Sequence, residues 1–417
     1  SITYSGPNSS AKFSNSIITT IIIYVKAHYL IFKRTFSGCM TRIRYPYEFD
    51  PKKRRIASSY RRGKLLFYFL GLLVSLGTGL AILFSGFHII LRDFVIQYPL
   101  PTLFYGFLIL LAFSITGFPI AFYSAYIYDH KFKLARYKIS GWFKDYLKGN
   151  SINYIFSLIL ITLLYFSIKT FSPWWIYAGI FYIIFSTTVN YIYPLIIVPF
   201  MWKTVPYKDK TMKQKILSLC KKLGVMNIKN VFVVEESGKS VRPNAFFYGL
   251  ANQQNIALFD NLLRDFAREE IETVVGHELG HYVNKDIIRG FILESILIFP
   301  ILFIVDYLVV AFVPTFGIQG ISDLASLTLI GLIYGTIGFF LMPLANSYSR
   351  WREAEADRFA LEHLRKPIAQ VSCDKRLADI GLSDTSPHPL IEFWLFDHPT
   401  FSKRIKMAEE WKKRNKK

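Results

Sequence analysis

The chain has 417 residues, 52% of them hydrophobic and 17% aromatic, with a mean hydropathy of +0.30 and a net charge of +21. That hydropathy excludes an ordinary soluble globule. No nucleic-acid recognition motif accompanies the charge, so a DNA- or RNA-binding module is excluded as well.

In chain order, residues 1–64 read as an amino-terminal extension. Its first forty residues, rich in Ser, Thr and Ile, look irregular, with Met40 as an alternative start; no basic region precedes the apolar one, as a cleavable signal would need. The extension holds one candidate span, 17–32, with Lys26 and His28 in its middle, which reads either as a crossing helix or as a surface helix. A membrane block at 65–200 follows, with spans at 65–91, 103–128, 153–168 and 174–200. The third is shorter than the roughly 20 apolar residues a bilayer core requires and needs tilting or completion at its ends.

The charge alternates between connections. Segment 33–64 holds eleven Lys and Arg and 129–149 holds six, whereas 92–101 and 169–173 hold one each and 314–323 none. Basic loops stay in the cytoplasm, so 33–64, 129–149, 201–289 and 345–417 are expected there, with the lipid bilayer and its anionic head groups as the partner of the surplus charge.

Residues 201–289 form the first module outside the membrane. The pattern predicts a helix near 211–223, a strand at 230–235, a turn at Ser237 to Lys239, a strand pair within 245–259 and a helical run over 264–289. The strand that begins at Asn244 and Ala245 is either one arm of a structural hairpin or an exposed edge that adds an extended peptide. Within the helical run stands His277-Glu278-Leu279-Gly280-His281. Residues four apart share a helix face, so His277 and His281 offer imidazole nitrogens to one tetrahedral metal, with Glu278 beside them as a general base. The three cysteines, Cys39, Cys220 and Cys373, are isolated, so neither a disulfide framework nor a thiolate site is expected, and one zinc ion per chain would rest on histidine and carboxylate.

A transmembrane hairpin at 290–343, with spans 290–313 and 324–343, leads to a last module at 344–417. Residues 346–363 read as one helix with Glu353 and Asp357 on one face. A catalytic zinc generally takes three protein ligands and leaves a fourth position open, so Glu353 is the candidate third ligand. Glu355 lies about 200° around the helix from it. Asp357 is placed to accept a hydrogen bond from the free ring N–H of a ligand histidine. Two crossings separate His281 from Glu353, and an even number returns the chain to the same side of the membrane.

His277 to His281, the later Ser349-Arg350 with Glu353, Ala356 and Asp357, the segment Asn244 to Gly249, and His398-Pro399 followed by Arg404-Ile405 together resemble the integral-membrane gluzincins called type I CAAX prenyl proteases. Tyr128 to Phe132 and Tyr191 to Leu195 belong to the same likeness, which covers roughly residues 60–405. The resemblance implies a predominantly α-helical polytopic protein of six to seven transmembrane helices enclosing a chamber, with a cytoplasmic zinc-protease module that contains a small β-sheet. It implies zinc on His277, His281 and Glu353, Glu278 as general base, Asp357 behind a ligand histidine, and Asn244 and Ala245 on a substrate-binding edge strand. His398 and Arg404 would face the site and hold the substrate carbonyl or the developing oxyanion. Glu294 and Asp306, inside the spans, suit either a watery chamber or pairing within a tight bundle. The implied activity is removal of the C-terminal tripeptide from prenylated C-a-a-X substrates through a zinc-activated water. The alternatives are a membrane-protein quality-control endopeptidase that ignores the lipid, and a zinc-dependent membrane chaperone without catalysis. Val241 to Pro243 depart from the family's serine-rich run before the edge strand, and Val283 to Asp286 look closer to the bacterial heat-shock membrane protease branch.

Overall fold

The structure, a computed structural model, describes residues 43–250 and 253–415; the candidate span 17–32 lies outside them. Six helices among the described residues are long and apolar enough to cross a membrane. Helix α1 (Pro51–Phe84) begins well before the expected 65, because Asp50 caps it by accepting from Lys52 N at 2.8 Å and Pro51 occupies its first turn. The basic run 52–64 therefore lies in the first four turns of a helix and is not a loop. At Gly86, with φ +72°, the chain breaks and restarts as α2 (Phe87–Val95), so the expected span 65–91 is two elements.

Helix α3 (Pro101–Phe122) runs on through a wide turn at Tyr123–Tyr128. The short third span is completed at its amino-terminal end: α4 (Ile139–Thr170) has 32 residues and starts in the basic connection. Helix α5 (Trp174–Ile192) continues to Met201. After the extramembrane module come α9 (Asp286–Phe312) and α10 (Ser326–Leu364). Helix α10 holds the last span and the Glu353 helix in one 39-residue rod.

Large apolar side chains such as Phe84, Ile115, Ile184 and Phe340 are exposed on these helices, which is stable only against hydrocarbon. Between them, α1, α3, α4, α5, α9 and α10 line a partly open chamber of about 810 Å³, walled by residues such as Leu72, Phe113, Leu160, Tyr182 and Leu302. Glu294 and Asp306 do not line it. Glu294, which is exposed, accepts from the chamber-wall Tyr182 Oη, and Asp306 accepts from Trp174 Nε1 at 2.7 Å, so each carboxylate has a partner on α5.

The extramembrane module is built on a four-stranded sheet of β1 (Thr204–Pro206), β2 (Ile228–Val234), β3 (Ala245–Leu250) and β4 (Gln253–Phe259) in the order β1-β2-β4-β3. β2 and β4 are parallel and β3 and β4 antiparallel, which leaves β3 at an edge. Ile216 and Cys220 of α6 (Lys210–Lys222) join Val231, Ile256, Leu258, Val275 and Leu279 in the core beneath the sheet. After α7 (Asp260–Asp265), α8 (Arg268–Val283) thus buries one face against the sheet. Its amino terminus is pinned by Glu270, which accepts from Ala267 N at 2.8 Å, Ser372 Oγ at 2.5 Å and Arg376 Nε at 2.9 Å. Ser372 and Arg376 belong to α11 (Pro367–Ile380); α12 (Pro389–Leu395) and α13 (Phe401–Arg414) complete the fold.

Candidate active site

The helical run expected over 264–289 is interrupted at Asn284-Lys285, where Lys285 adopts φ +55°, so α8 and α9 are separate helices. The break turns Asp286 back toward α8. On its other side, α8 packs directly on α10 through Gly280: a β-carbon there would lie 2.8 Å from Ala356 Cα and 3.1 Å from its carbonyl oxygen. Only a residue without a side chain lets the helices approach this closely.

That approach brings three expected ligands together. His277 Nε2 and His281 Nε2 are 3.1 Å apart, and they stand 3.2 and 3.4 Å from Glu353 Oε2 and Oε1. A tetrahedral zinc with bonds of roughly 2.0–2.1 Å requires ligand atoms about 3.3 Å apart. The ring tautomers agree. His277 Nδ1 faces Asp357 Oδ1 at 2.9 Å and His281 Nδ1 faces Asp286 Oδ2 at 2.8 Å. Each Nδ1 carries the donated proton, and both Nε2 lone pairs aim at the same point as the Glu353 carboxylate, whose buried Oε2 accepts no hydrogen bond. Three converging lone pairs with no donor between them suit a cation. The same demand for positive charge acts on the imidazole: burial works against protonation of His277, yet the carboxylates of Asp357 and Glu353 outweigh it and hold the ring at about 10.

Asp357 is fully buried and serves as a hub. Its Oδ1 also accepts from Arg404 Nη2 at 2.7 Å and Gln370 Nε2 at 3.1 Å. Arg404 further approaches Asp374 Oδ1 at 3.4 Å, so its charge is spent on two buried carboxylates behind the histidine. His398 stands on the open side, with Nε2 3.2 Å from Glu353 Oε1 and Nδ1 on Asp397 at 2.9 Å; the Asp397 and Glu353 carboxylates push it up to about 9. Glu278 lines a pocket of about 160 Å³ with Asn244, Ala245, His277, His398 and Arg404, and burial raises its proton affinity. Glu355 is turned away and pairs with Arg352 at 2.6 Å.

All nine site residues expected from the sequence are therefore in or against one pocket. Four partners were not expected: Asp286, Gln370, Asp374 and Asp397. Asp286 had a visible signal, an acidic residue five positions after His281 following a helix-breaking Asn284. Its carboxylate also meets Arg352, the residue before Glu353, and so ties both ligand helices together.

A helical membrane bundle carrying a two-histidine, one-glutamate cluster beside a second carboxylate, Glu278, defines the class: an integral-membrane metalloprotease. A model of peptidase family M48 matches residues 206–412, and a model described as CAAX prenyl protease N-terminal, five membrane helices, matches residues 45–203. The chain belongs to the M48 peptidases, of the CAAX prenyl protease 1 type. It is 27% identical to an uncharacterized metalloprotease of Bacillus subtilis over 86% of each chain. It is 30% identical to a CAAX prenyl protease 1 homolog of Dictyostelium discoideum over 60% of this chain and 59% of that one. The crystal structure of S. mikatae Ste24p has the same fold, with a TM-score of 0.78 at 21% identity, covering 90% of this chain and 93% of that one.

Proposed function

We propose that the chain is a zinc-dependent endopeptidase at the cytoplasmic membrane surface that removes the C-terminal tripeptide from prenylated C-a-a-X substrates. The observation that carries the peptidase reading is the convergence of His277, His281 and Glu353 on one point, with His277 and the Glu278 carboxylate lining the adjoining pocket. Zinc on those three residues would supply Lewis acidity, lowering the pKa of water and polarising the scissile carbonyl. Glu278 takes the proton of the attacking water and returns it to the leaving amine. Its raised proton affinity suits a base that must keep the proton until the C–N bond breaks. Asp357 and Asp286 hold the ligand imidazoles in the Nδ1–H form, and Arg404 holds Asp357. His398, half-exposed at the pocket mouth, is placed to donate to the substrate carbonyl oxygen as negative charge develops there. Edge strand β3, entered at Asn244 and Ala245, offers backbone groups to an extended peptide.

The hydrocarbon walls of the membrane chamber favour a lipidated substrate, and the basic turns of α1 and the start of α4 favour a cytoplasmic site. The test is cleavage of a farnesylated C-a-a-X peptide and its unprenylated twin by detergent-purified protein, with and without a zinc chelator. Cleavage confined to the lipidated peptide, and lost with chelator, is expected. Equal cleavage of both peptides would move the function to quality control of membrane proteins. No cleavage of either peptide despite bound zinc would overturn the C-a-a-X reading and leave the metal site standing with another substrate.

A further inference from the structure

The connection from β2 to β3 enters the catalytic pocket at Pro243, Asn244 and Ala245, which line it together with His277 and Glu278. Just before that point it is tied to the membrane half of the protein. Ser240 forms an antiparallel bridge with Ala135, in the connection between α3 and α4. Beside the bridge, Val241 N donates to Leu134 O at 3.1 Å and Arg136 N donates to Lys239 O at 2.8 Å. Val241 also packs against the cluster of Tyr60 from α1, Tyr128 and Leu134.

Arg242 carries the remaining tethers. Its N–H donates to Ser240 Oγ at 3.1 Å, and its carbonyl accepts from the buried Asn261 Nδ2 at 2.7 Å. Its guanidinium crosses to the membrane half, where Nη2 donates to Tyr60 Oη at 2.5 Å and stands 3.7 Å from Asp129 Oδ2. Tyr60 in turn donates to Asp129 Oδ1 at 2.9 Å, and Lys64 Nζ reaches the same oxygen at 3.3 Å. The backbone of Asp129 takes part as well: its carbonyl accepts from Leu134 N at 2.8 Å, closing the turn that leads to the Ala135 bridge. One buried residue thus holds the Arg242 side chain and shapes the segment with which Ser240 pairs.

The position of this entry matters because β3 is an edge strand, bonded to β4 on one side. Pro243 has no N–H to donate, so Arg242 is the last anchor on the membrane side before the pocket. Adjacent α-carbons lie about 3.8 Å apart, which leaves little chain to absorb a shift of Arg242 before it reaches the pocket wall. Val241 and Arg242 belong to the segment that departs from the family's serine-rich run. Serines there would supply neither the packing on Tyr60 nor the charge for Asp129.

We propose that Asp129 is a positioning residue for the peptide substrate, acting through Tyr60 and Arg242 to hold the entry of β3 where an extended peptide can add to the strand. The proposal rests on the peptidase reading of the pocket and adds that the membrane half sets the substrate strand.

The test uses full-length, detergent-purified protein with a farnesylated C-a-a-X peptide as substrate. Asp129→Asn keeps an acceptor for Tyr60 and removes the charge that faces Arg242. It should raise KM about 10-fold, the scale of one charge-assisted contact, with kcat within about 2-fold and zinc content unchanged. Arg242→Gln should do the same, and the double variant should be no worse than either alone, because both changes break one tether. Lys64→Met is the control: it removes a partner of Asp129 on α1, leaves the Arg242 contact in place, and should leave KM unchanged. Hydrogen exchange reads the strand without turnover. In Asp129→Asn the amides of 244–249 should exchange about 3-fold faster while those of α8 keep their rates. Additive KM effects, an equal rise with Lys64→Met, or zinc loss in step with KM would make Asp129 a general structural residue and overturn the proposal. Unchanged exchange, or faster exchange with unchanged KM, would overturn it too. If the wild-type protein cleaves no peptide, the peptidase reading falls, and exchange alone then decides whether Asp129 holds the strand.

Discussion

Gly280→Ala is the sharpest probe of how the metal cluster is assembled. The added methyl would sit 2.8, 3.1 and 3.2 Å from Ala356 Cα, O and Cβ, whereas ordinary contact begins at 3.4 Å. Two of these atoms are backbone, so no rotamer relieves the clash, and α8 and α10 must part by about 0.6 Å, at an overpacking cost of roughly 1–3 kcal/mol. The motion falls on the ligands directly, because His281 follows Gly280 on one helix and Glu353 lies one turn before Ala356 on the other. The His–Glu353 separations of 3.2 and 3.4 Å would widen to about 3.8–4.0 Å, past the ±0.2 Å latitude of a zinc site. Zinc affinity, measured by competition with a fluorescent chelator, should fall at least 10-fold, or about 1.4 kcal/mol, with a lowered thermal midpoint. Wild-type zinc affinity in a folded Gly280→Ala protein would refute the claim that this contact sets the ligand geometry.

Other residues test other links. Glu278→Gln should keep zinc affinity within a few-fold and lower the cleavage rate by about 10²–10⁴, and normal turnover would remove Glu278 from the chemistry. Asp286→Asn should weaken zinc binding by about 10–100-fold, since His281 loses the carboxylate that fixes its tautomer; unchanged affinity would show that the Asp286 contact is idle. Glu353→Gln should strip the metal while Glu355→Gln retains it, read by bound zinc after gel filtration, and the reverse result would exchange the two assignments. Asp379, buried on α11, accepts from Tyr47 Oη at 2.8 Å, Asp50 N at 2.7 Å and Arg54 Nε at 2.5 Å. Asp379→Leu should therefore cost about 3–5 kcal/mol by stranding the Arg54 charge, seen as a drop in thermal midpoint of several degrees that Arg54→Met does not deepen when combined with it.

Much of this protein was legible in one dimension. Spans read well because a bilayer imposes one rule on every residue it touches, and a run of about 20 apolar residues satisfies it without reference to the rest of the fold. The spacing of His277 and His281 was equally local, since a helix alone puts them on one face. Glu353 was reachable by counting crossings, which restricted the third ligand to the same side of the membrane.

What the sequence could not decide were the events that depend on two elements meeting. Whether Glu294 and Asp306 faced a chamber or a neighbour turned on the helix rotations that bring Tyr182 and Trp174 to them. Asp286 fell inside a run read as one helix over 264–289, and only the break at Lys285 folds it onto His281 and Arg352. Arg404 lines the pocket as expected, but its pairing with Asp357 and Asp374 could not be read from the sequence, because which carboxylates neutralise a buried charge depends on how the helices pack. Periodicity and spacing report what one helix or strand offers to its surroundings; which partner accepts the offer is settled only when the packed helices fix distances of a few ångströms across hundreds of residues of chain.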